Sequence, residues 1–160
     1  LGASDVSVSL MLSANIGVQT LANLGASALS RKVGDRVLVY AGFVLMSAGL
    51  VGAGVATSLV GLWIAQLALG LSQGLAYPVL MGLSIRDVDE SQRASAMGLH
   101  QAVYAIGMFA GPWLGGILGE AVGLNRMFVI TSLALLLLGL AGTRLMDDGK
   151  REAVPAEIAS

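Results

Sequence analysis

The class of fold follows from residues 93–120, RASAMGLHQAVYAIGMFAGPWLGGILGE. After the opening arginine, 26 residues pass without a formal charge, with histidine taken as neutral. A segment this long and apolar suits the hydrocarbon of a bilayer. Within it, glycines recur at every fourth position and predict a surface for close helix packing, with a bend at the proline. The residues of this packing and bend motif are Gly107, Gly111, Pro112, Gly115 and Gly116.

The rest of the chain has the same character. Of the 160 residues, 56% are hydrophobic and only 12% are charged, whereas soluble domains carry about 25% charged residues. The longest segment without charge, 37–85, would form a helix of about 73 Å, far longer than a hydrocarbon core of about 30 Å. It must therefore contain two spans. We place the break at Gly52–Ser58, where Thr57 or Ser58 can cap the next helix.

The sequence thus predicts an all-α integral membrane protein with five transmembrane helices. A bundle over residues 1–145 is followed by a polar tail, 146–160, which we expect to be disordered. Ser91 is a candidate cap for the fourth span, and Pro78 is expected to kink the third. The spans are predicted at about 6–30, 37–55, 59–85, 94–119 and 127–143.

The orientation follows from the basic residues. Of the nine lysines and arginines, eight lie in the first loop, the third loop and the tail, and only Arg126 lies on the other side. Basic loops remain in the cytoplasm. We therefore expect a cytoplasmic C-terminus, in a plasma membrane of the bacterial inner-membrane type.

Polar side chains are concentrated in the first, third and fourth spans. An unpaired amide facing lipid costs several kcal/mol, so these spans should face protein or water, and the second and fifth should face lipid. The stripes fit interhelical hydrogen bonding or the lining of a path for a polar solute, and the sequence leaves both open. The candidate path-lining residues are Asn15, Gln19, Asn23, Gln66, Gln73, Tyr77, His100, Gln101 and Tyr104.

Several function classes are disfavoured. The chain has no cysteine and a net charge of −1, so thiolate metal sites are excluded and nucleic-acid binding is not expected. No nucleophile–base pair lies at membrane depth, so we predict no enzyme activity, no catalytic residue, no metal and no cofactor. His100 is the one candidate for proton coupling, although a hydrogen bond to a neighbouring helix explains it more simply. The start, without methionine, resembles the middle of a longer protein.

Three features together resemble the major facilitator superfamily. The loop Ser27–Arg36 is similar to the basic loop motif G-x-x-x-D-R-x-G-R-R, with two charges reversed. In the third span Gln66 precedes Gly70 and Gly74, where the fourth helix of the family has an arginine. The segment 107–116 matches the glycine–proline motif G-x-x-x-G-P-x-x-G-G of drug antiporters.

The resemblance implies a C-terminal fragment corresponding to helices eight to twelve of twelve. It implies part of a secondary active transporter that moves a small organic solute by alternating access, with efflux or antiport favoured. The expected partners are membrane lipid, the missing N-terminal half, the solute and protons as a candidate coupling ion. By resemblance, the cytoplasmic gate comprises Arg31, Lys32, Gly34, Asp35, Arg36 and Arg93.

Three alternatives remain open on the sequence. A nutrient importer of the same family would have the same architecture. A small five-span scaffold or assembly protein would need no solute path. The chain would also correspond to helices two to six if further spans followed a basic linker.

Overall fold

The structure is a computed structural model that describes residues 4–146, and five long helices form its bundle. They are α1 (Asp5–Val33), α2 (Asp35–Val55), α3 (Leu59–Arg86), α4 (Arg93–Val122) and α5 (Leu124–Leu145), with one 3₁₀ turn at Glu90–Gln92. Each predicted span falls within one helix. The described residues contain no strand. The predicted tail lies outside the described residues, apart from Met146.

Two of the turns consist of one glycine each. Gly34 joins α1 to α2 with φ of +91°, and Gly123 joins α4 to α5 with φ of +84°. These values lie where glycine is favoured because it has no Cβ. The basic segment predicted as a loop after α1 is therefore mostly helical, and only Gly34 interrupts it.

The ends of the helices refine the sequence predictions. The hydroxyl of Ser58 accepts a hydrogen bond from the Gly61 amide at 3.2 Å, which confirms Ser58 as a cap. The predicted break at Gly52–Ser58 is too wide, because α2 continues through its glycines to Val55. The prediction for Ser91 is wrong: α4 begins after Gln92 without a side-chain cap, and Ser91 lies in the 3₁₀ turn.

The centre of the bundle is α3, which packs against both α1 and α2, while α2 also packs against α5. Glycines permit the close approach of α1 and α3. A Cβ at Gly70 would lie 2.5 Å from the carbonyl oxygen of Asn15, and one at Gly74 would overlap the carbonyl of Gln19. The predicted helix contact at Gly70 and Gly74 is thus confirmed. The buried core consists of small and branched side chains, among them Ala26 and Val39.

The fourth long helix, α4, lies at the side of the bundle. None of its residues is buried, and it contacts mainly α3 and α5. Its large apolar side chains are open, with Phe109 82% and Trp113 64% exposed. The face of α4 away from α3 and α5 is therefore unpartnered within the described residues.

Four helices, α2 to α5, are long and apolar enough to cross a membrane. With its 29 residues, α1 is also long enough to cross a membrane. Its serines and amides make it less apolar than the other four helices, and it is not among those apolar enough to cross. The chain is an all-α membrane protein, and the crossing of α1 stays a prediction. The kink at Pro78 also stays a prediction, since α3 continues through that residue.

Candidate solute cavity

A cavity of about 890 Å³ lies between α3 and α4 and reaches the other three helices. Its size is within the range of small-molecule sites, about 300–1,000 Å³. Five of the nine candidate path-lining residues contribute to its surface. They are Gln19 from α1, Gln73 and Tyr77 from α3, and His100 and Tyr104 from α4. Polar side chains from three helices therefore face one common space.

The two helices expected to face lipid also line the cavity. Phe43 and Met46 extend from α2, and Leu135 extends from α5. Phe43 is positioned by Gly139 of α5, because a Cβ at Gly139 would overlap the Phe43 ring. These three residues were not predicted from the sequence. A polar residue in an apolar helix indicates a lining position, whereas an apolar lining residue looks like one that faces lipid.

Two of the candidate amides bind each other outside the cavity. The Nδ2 of Asn15 donates to the backbone oxygen of Gln66 at 2.7 Å and to its side-chain Oε1 at 3.2 Å. This pair joins α1 to α3 one helical turn from the glycine contact at Gly70. Here the geometry favours interhelical hydrogen bonding, the other explanation for the polar stripe.

The remaining candidate amides differ in their surroundings. Asn23 is exposed on α1 and does not line the cavity. Gln101 is also exposed, but its Nε2 donates to the Tyr77 hydroxyl at 3.2 Å. This bond links α4 to α3 and holds the phenol at the cavity surface. The stripe on α1 thus divides into one lining residue, Gln19, one packing residue, Asn15, and one exposed residue.

Three rings form a cluster along the cavity. The centroid of Tyr77 lies 5.3 Å from that of Tyr104 and 6.2 Å from that of His100, with interplanar angles of 57° and 61°. Tilted and edge-to-face rings at such distances attract each other by about 0.5–1.5 kcal/mol per pair. Tyr77 is central to the cluster, which is built from α3 on one side and α4 on the other.

A serine that was not predicted from the sequence completes this cluster. Ser84 lines the cavity, and its Oγ lies 2.7 Å from Nδ1 of His100 and donates to the Leu80 carbonyl at 2.9 Å. The spacing in the sequence could have identified Ser84 as a lining residue, because it lies seven residues after Tyr77 and therefore on the same helical face. The interhelical bond at His100 agrees with the simpler of its two interpretations.

The cavity surface carries no Asp, Glu, Lys or Arg among the described residues. No group of histidine and carboxylate side chains that would hold a metal occurs in residues 4–146. Hydrogen-bonding groups are supplied only by amides, hydroxyls and one imidazole. Such a surface can hold a largely apolar solute with a few hydrogen-bonding groups, and it provides no counter-charge for an ion.

The candidate gate residues lie at one end of the bundle, which carries residues 31–36 and 86–93 and is named the basic end. Asp35 accepts a hydrogen bond from Ser30 and pairs with Arg86 of α3 at 3.3 Å. Arg93 donates from Nε to the Val88 carbonyl at 3.2 Å. Arg31 lines a smaller cavity of about 320 Å³ together with Asp35 and Arg86.

Gly34 forms the turn between α1 and α2 at this end, Lys32 is exposed and Arg36 is half-buried. The ion pair of Asp35 with Arg86 joins α2 to α3 within the bundle, a contact that the sequence did not predict.

The glycine–proline motif of α4 has no close neighbour among the described residues. A Cβ at Gly107, Gly111 or Gly116 would meet nothing within 4 Å, and one at Gly115 would meet only the Met127 sulfur at 3.8 Å. The helix continues through Pro112. The role of this motif in close packing stays a prediction, since none of the other described helices packs closely against these glycines.

This fold and this cavity define an all-α integral membrane protein with an open, solute-sized cavity between its helices. A family model described as Major Facilitator Superfamily matches residues 1–159. The chain belongs to the Major Facilitator Superfamily, a family of membrane transporters.

Curated relatives show more distant similarity. A proton-coupled antiporter flippase, LtaA, of Staphylococcus haemolyticus is 25% identical over 64% of this chain and 26% of its own length. The synaptic vesicular amine transporter of Mus musculus is 29% identical over 84% of this chain and 26% of its own length. The MFS-type transporter ppzB of Metarhizium rileyi is 28% identical over 93% and 30%. The chain thus spans roughly a quarter to a third of these relatives.

Proposed function

We propose that this chain is part of a secondary active transporter that moves a small organic solute across the membrane by alternating access. One observation carries the proposal: polar side chains from α1, α3 and α4 converge on a cavity of about 890 Å³ whose described lining bears no charged side chain. A scaffold protein has no need of such a space. In a transporter the cavity forms one wall of the solute path near the membrane midplane.

We further propose that α1 to α5 correspond to helices eight to twelve, and that the N-terminal half and one more helix complete the site. Two observations support this arrangement. The relatives are three to four times longer than the matched region, and α4 has no buried residue. The gate residues of the basic end would then meet the missing half, and the basic end would face the cytoplasm together with the C-terminus.

Efflux is the proposed direction, driven by exchange for protons. It is supported by the glycine–proline motif of α4 and by relatives whose names denote an antiporter flippase and a vesicular amine transporter. Those names suggest amphipathic or amine-bearing solutes as the first to test. An importer of the same family is the competing function.

The test is solute flux by the full-length protein in proteoliposomes of known orientation. We expect Gln73→Ala and His100→Ala to reduce flux at least tenfold while leaving the helical content unchanged. Asn23→Ala, a matched amide on the exposed side of α1, should retain flux within twofold of wild type. Asn15→Ala should act on stability instead of flux, because Asn15 bonds to Gln66 outside the cavity.

Three results would be decisive against parts of this proposal. Unchanged flux in both Gln73→Ala and His100→Ala would remove the assignment of the path. Accumulation of solute on the basic-end side would identify an importer. A pH-gradient dependence that survives His100→Ala would place proton coupling outside this chain.

A further inference from the structure

The hydroxyl of Ser84 contacts two hydrogen-bonding partners. It donates to the Leu80 carbonyl at 2.9 Å and lies 2.7 Å from Nδ1 of His100. A hydroxyl has one proton but two lone pairs. If the hydroxyl donates its proton to Leu80, the contact with His100 is a hydrogen bond only when Nδ1 carries a hydrogen and Ser84 accepts it.

This arrangement favours the tautomer of His100 with hydrogen on Nδ1, because only that tautomer allows both Ser84 contacts to be hydrogen bonds. A neutral imidazole with hydrogen on Nδ1 has a bare Nε2, which is an acceptor. The opposite tautomer would require Ser84 to donate to Nδ1 and to give up its bond to Leu80. Nε2 has no hydrogen-bond partner among residues 4–146, and His100 is one of the residues that line the cavity. It is therefore available to a bound solute.

The side chains around His100 determine which chemical groups the rest of the solute can carry. Tyr77 and Tyr104 lie on the same cavity surface, with Phe43 and Met46 from α2. Rings and thioethers attract an aromatic guest. An ion without a counter-charge would instead lose several kcal/mol on leaving water, and no charged side chain of the described residues lines the cavity.

We propose that this cavity binds a neutral aromatic end of the solute, and that His100 Nε2 accepts a hydrogen bond from an O–H or N–H group on that ring. Ser84 is a positioning residue, since it acts by favouring this tautomer. The inference rests on the proposed function for its relevance to transport, and any charge on the solute would lie outside this cavity. Phenols, indoles and aromatic amines belong to this class.

The experiment compares two neutral probes that differ at the donor. 2-Naphthol has a hydroxyl, and 2-methoxynaphthalene has a methyl ether in its place. Binding of each to the full-length protein in lipid nanodiscs is measured by equilibrium dialysis, after subtraction of binding to empty nanodiscs. One neutral hydrogen bond of about 1 kcal/mol gives an expected preference of about fivefold for 2-naphthol.

Matched variants test whether His100 and Ser84 cause the preference for 2-naphthol. His100→Phe keeps a ring and removes the acceptor, so the preference should fall to about onefold. Ser84→Ala releases the tautomer and should bring it below twofold, while Ser84→Thr, which retains the hydroxyl, should preserve it. Ser72→Ala is the control on the same helix, because the Ser72 hydroxyl donates to Leu69 of α3 and lies off the cavity surface. An equal preference in wild type and His100→Phe would overturn the proposal.

A spectroscopic measurement decides the matter even if Ser84→Ala fails to fold. In the full-length protein, the imidazole signals of His100, the only histidine of this chain, are identified as those absent from His100→Phe. Their ¹⁵N shifts at neutral charge report which nitrogen is bare. We expect a bare Nε2 in wild type, whereas a bare Nδ1 would contradict the inference. If the wild-type protein transports its solute but shows no preference for 2-naphthol, this inference alone is refuted. If the wild-type protein shows the preference but no solute flux, only the transport function is refuted.

Discussion

The glycines of α3 differ in their surroundings. A Cβ at Gly70 would lie 2.5 Å from the backbone oxygen of Asn15, so this glycine sets the separation of α1 and α3. A Cβ at Gly82 on the same helix would meet nothing within 4 Å. The two glycines look alike in the sequence, because spacing identifies a helical face and does not reveal which neighbour that face contacts.

The substitution Gly70→Ala should destabilise the bundle by about 1–3 kcal/mol, the usual penalty for overpacking. Backbone atoms stand in the way and cannot rotate aside. Gly82→Ala is the matched control and should stabilise α3 by about 0.5–1 kcal/mol, since glycine is unfavourable within a helix. Unfolding of both variants in detergent with increasing denaturant measures the difference. Equal stability of the two would contradict the close contact.

The amide of Asn15 yields a second prediction at this scale. Asn15→Ala removes the bonds to Gln66 and should reduce stability by about 0.6–2 kcal/mol, the range for interhelical bonds in membranes. Asn23→Ala, on the exposed side of the same helix, should change stability by less than about 0.5 kcal/mol. A double-mutant cycle of Asn15→Ala with Gln66→Ala measures the coupling. Zero coupling would show that the pair makes no contribution.

At the scale of the helices, sequence patterns predicted the number of helices and the position of each along the chain. They also predicted that Gln19, Gln73, Tyr77, His100 and Tyr104 are interior polar residues, and these side chains line one cavity. They did not separate Gln19 from Asn15, because both lie on one stripe. Phe43 and Leu135 were missed because an apolar side chain that lines a cavity looks the same in sequence as one that faces lipid.

The link between α4 and α5 allows a prediction about a single turn. Gly123 has φ of +84°, so Gly123→Ala should introduce strain of about 1–3 kcal/mol. Gly119→Ala lies one turn earlier within α4, where the added Cβ would make only an ordinary contact with Leu124 at 3.7 Å. Hydrogen exchange at the ends of α4 and α5 should increase in the first variant and not in the second. The same exchange rates in both would exclude a strained turn.

At the scale of the whole molecule, α1, α2, α3 and α5 form a tightly packed unit, while α4 closes the cavity from the side. Two side-chain hydrogen bonds join α4 to α3: Ser84 with His100, and Gln101 with Tyr77. The extensive exposed apolar surface of α4 is suited to lipid or to a further helix. In the proposed transporter, that helix belongs to the missing part of the protein, and the cavity beside α4 is part of the solute path.

The most direct test of that path is chemical blockade of the cavity. The chain has no cysteine, so a single one can be introduced into a cysteine-free full-length protein. Val103→Cys places a thiol on the cavity surface, and Leu137→Cys places one on exposed α5 outside it. After reaction with a bulky maleimide, solute flux in proteoliposomes should fall at least tenfold for Val103→Cys and remain unchanged for Leu137→Cys. Full flux through the protein modified at position 103 would contradict the claim that this cavity carries the solute.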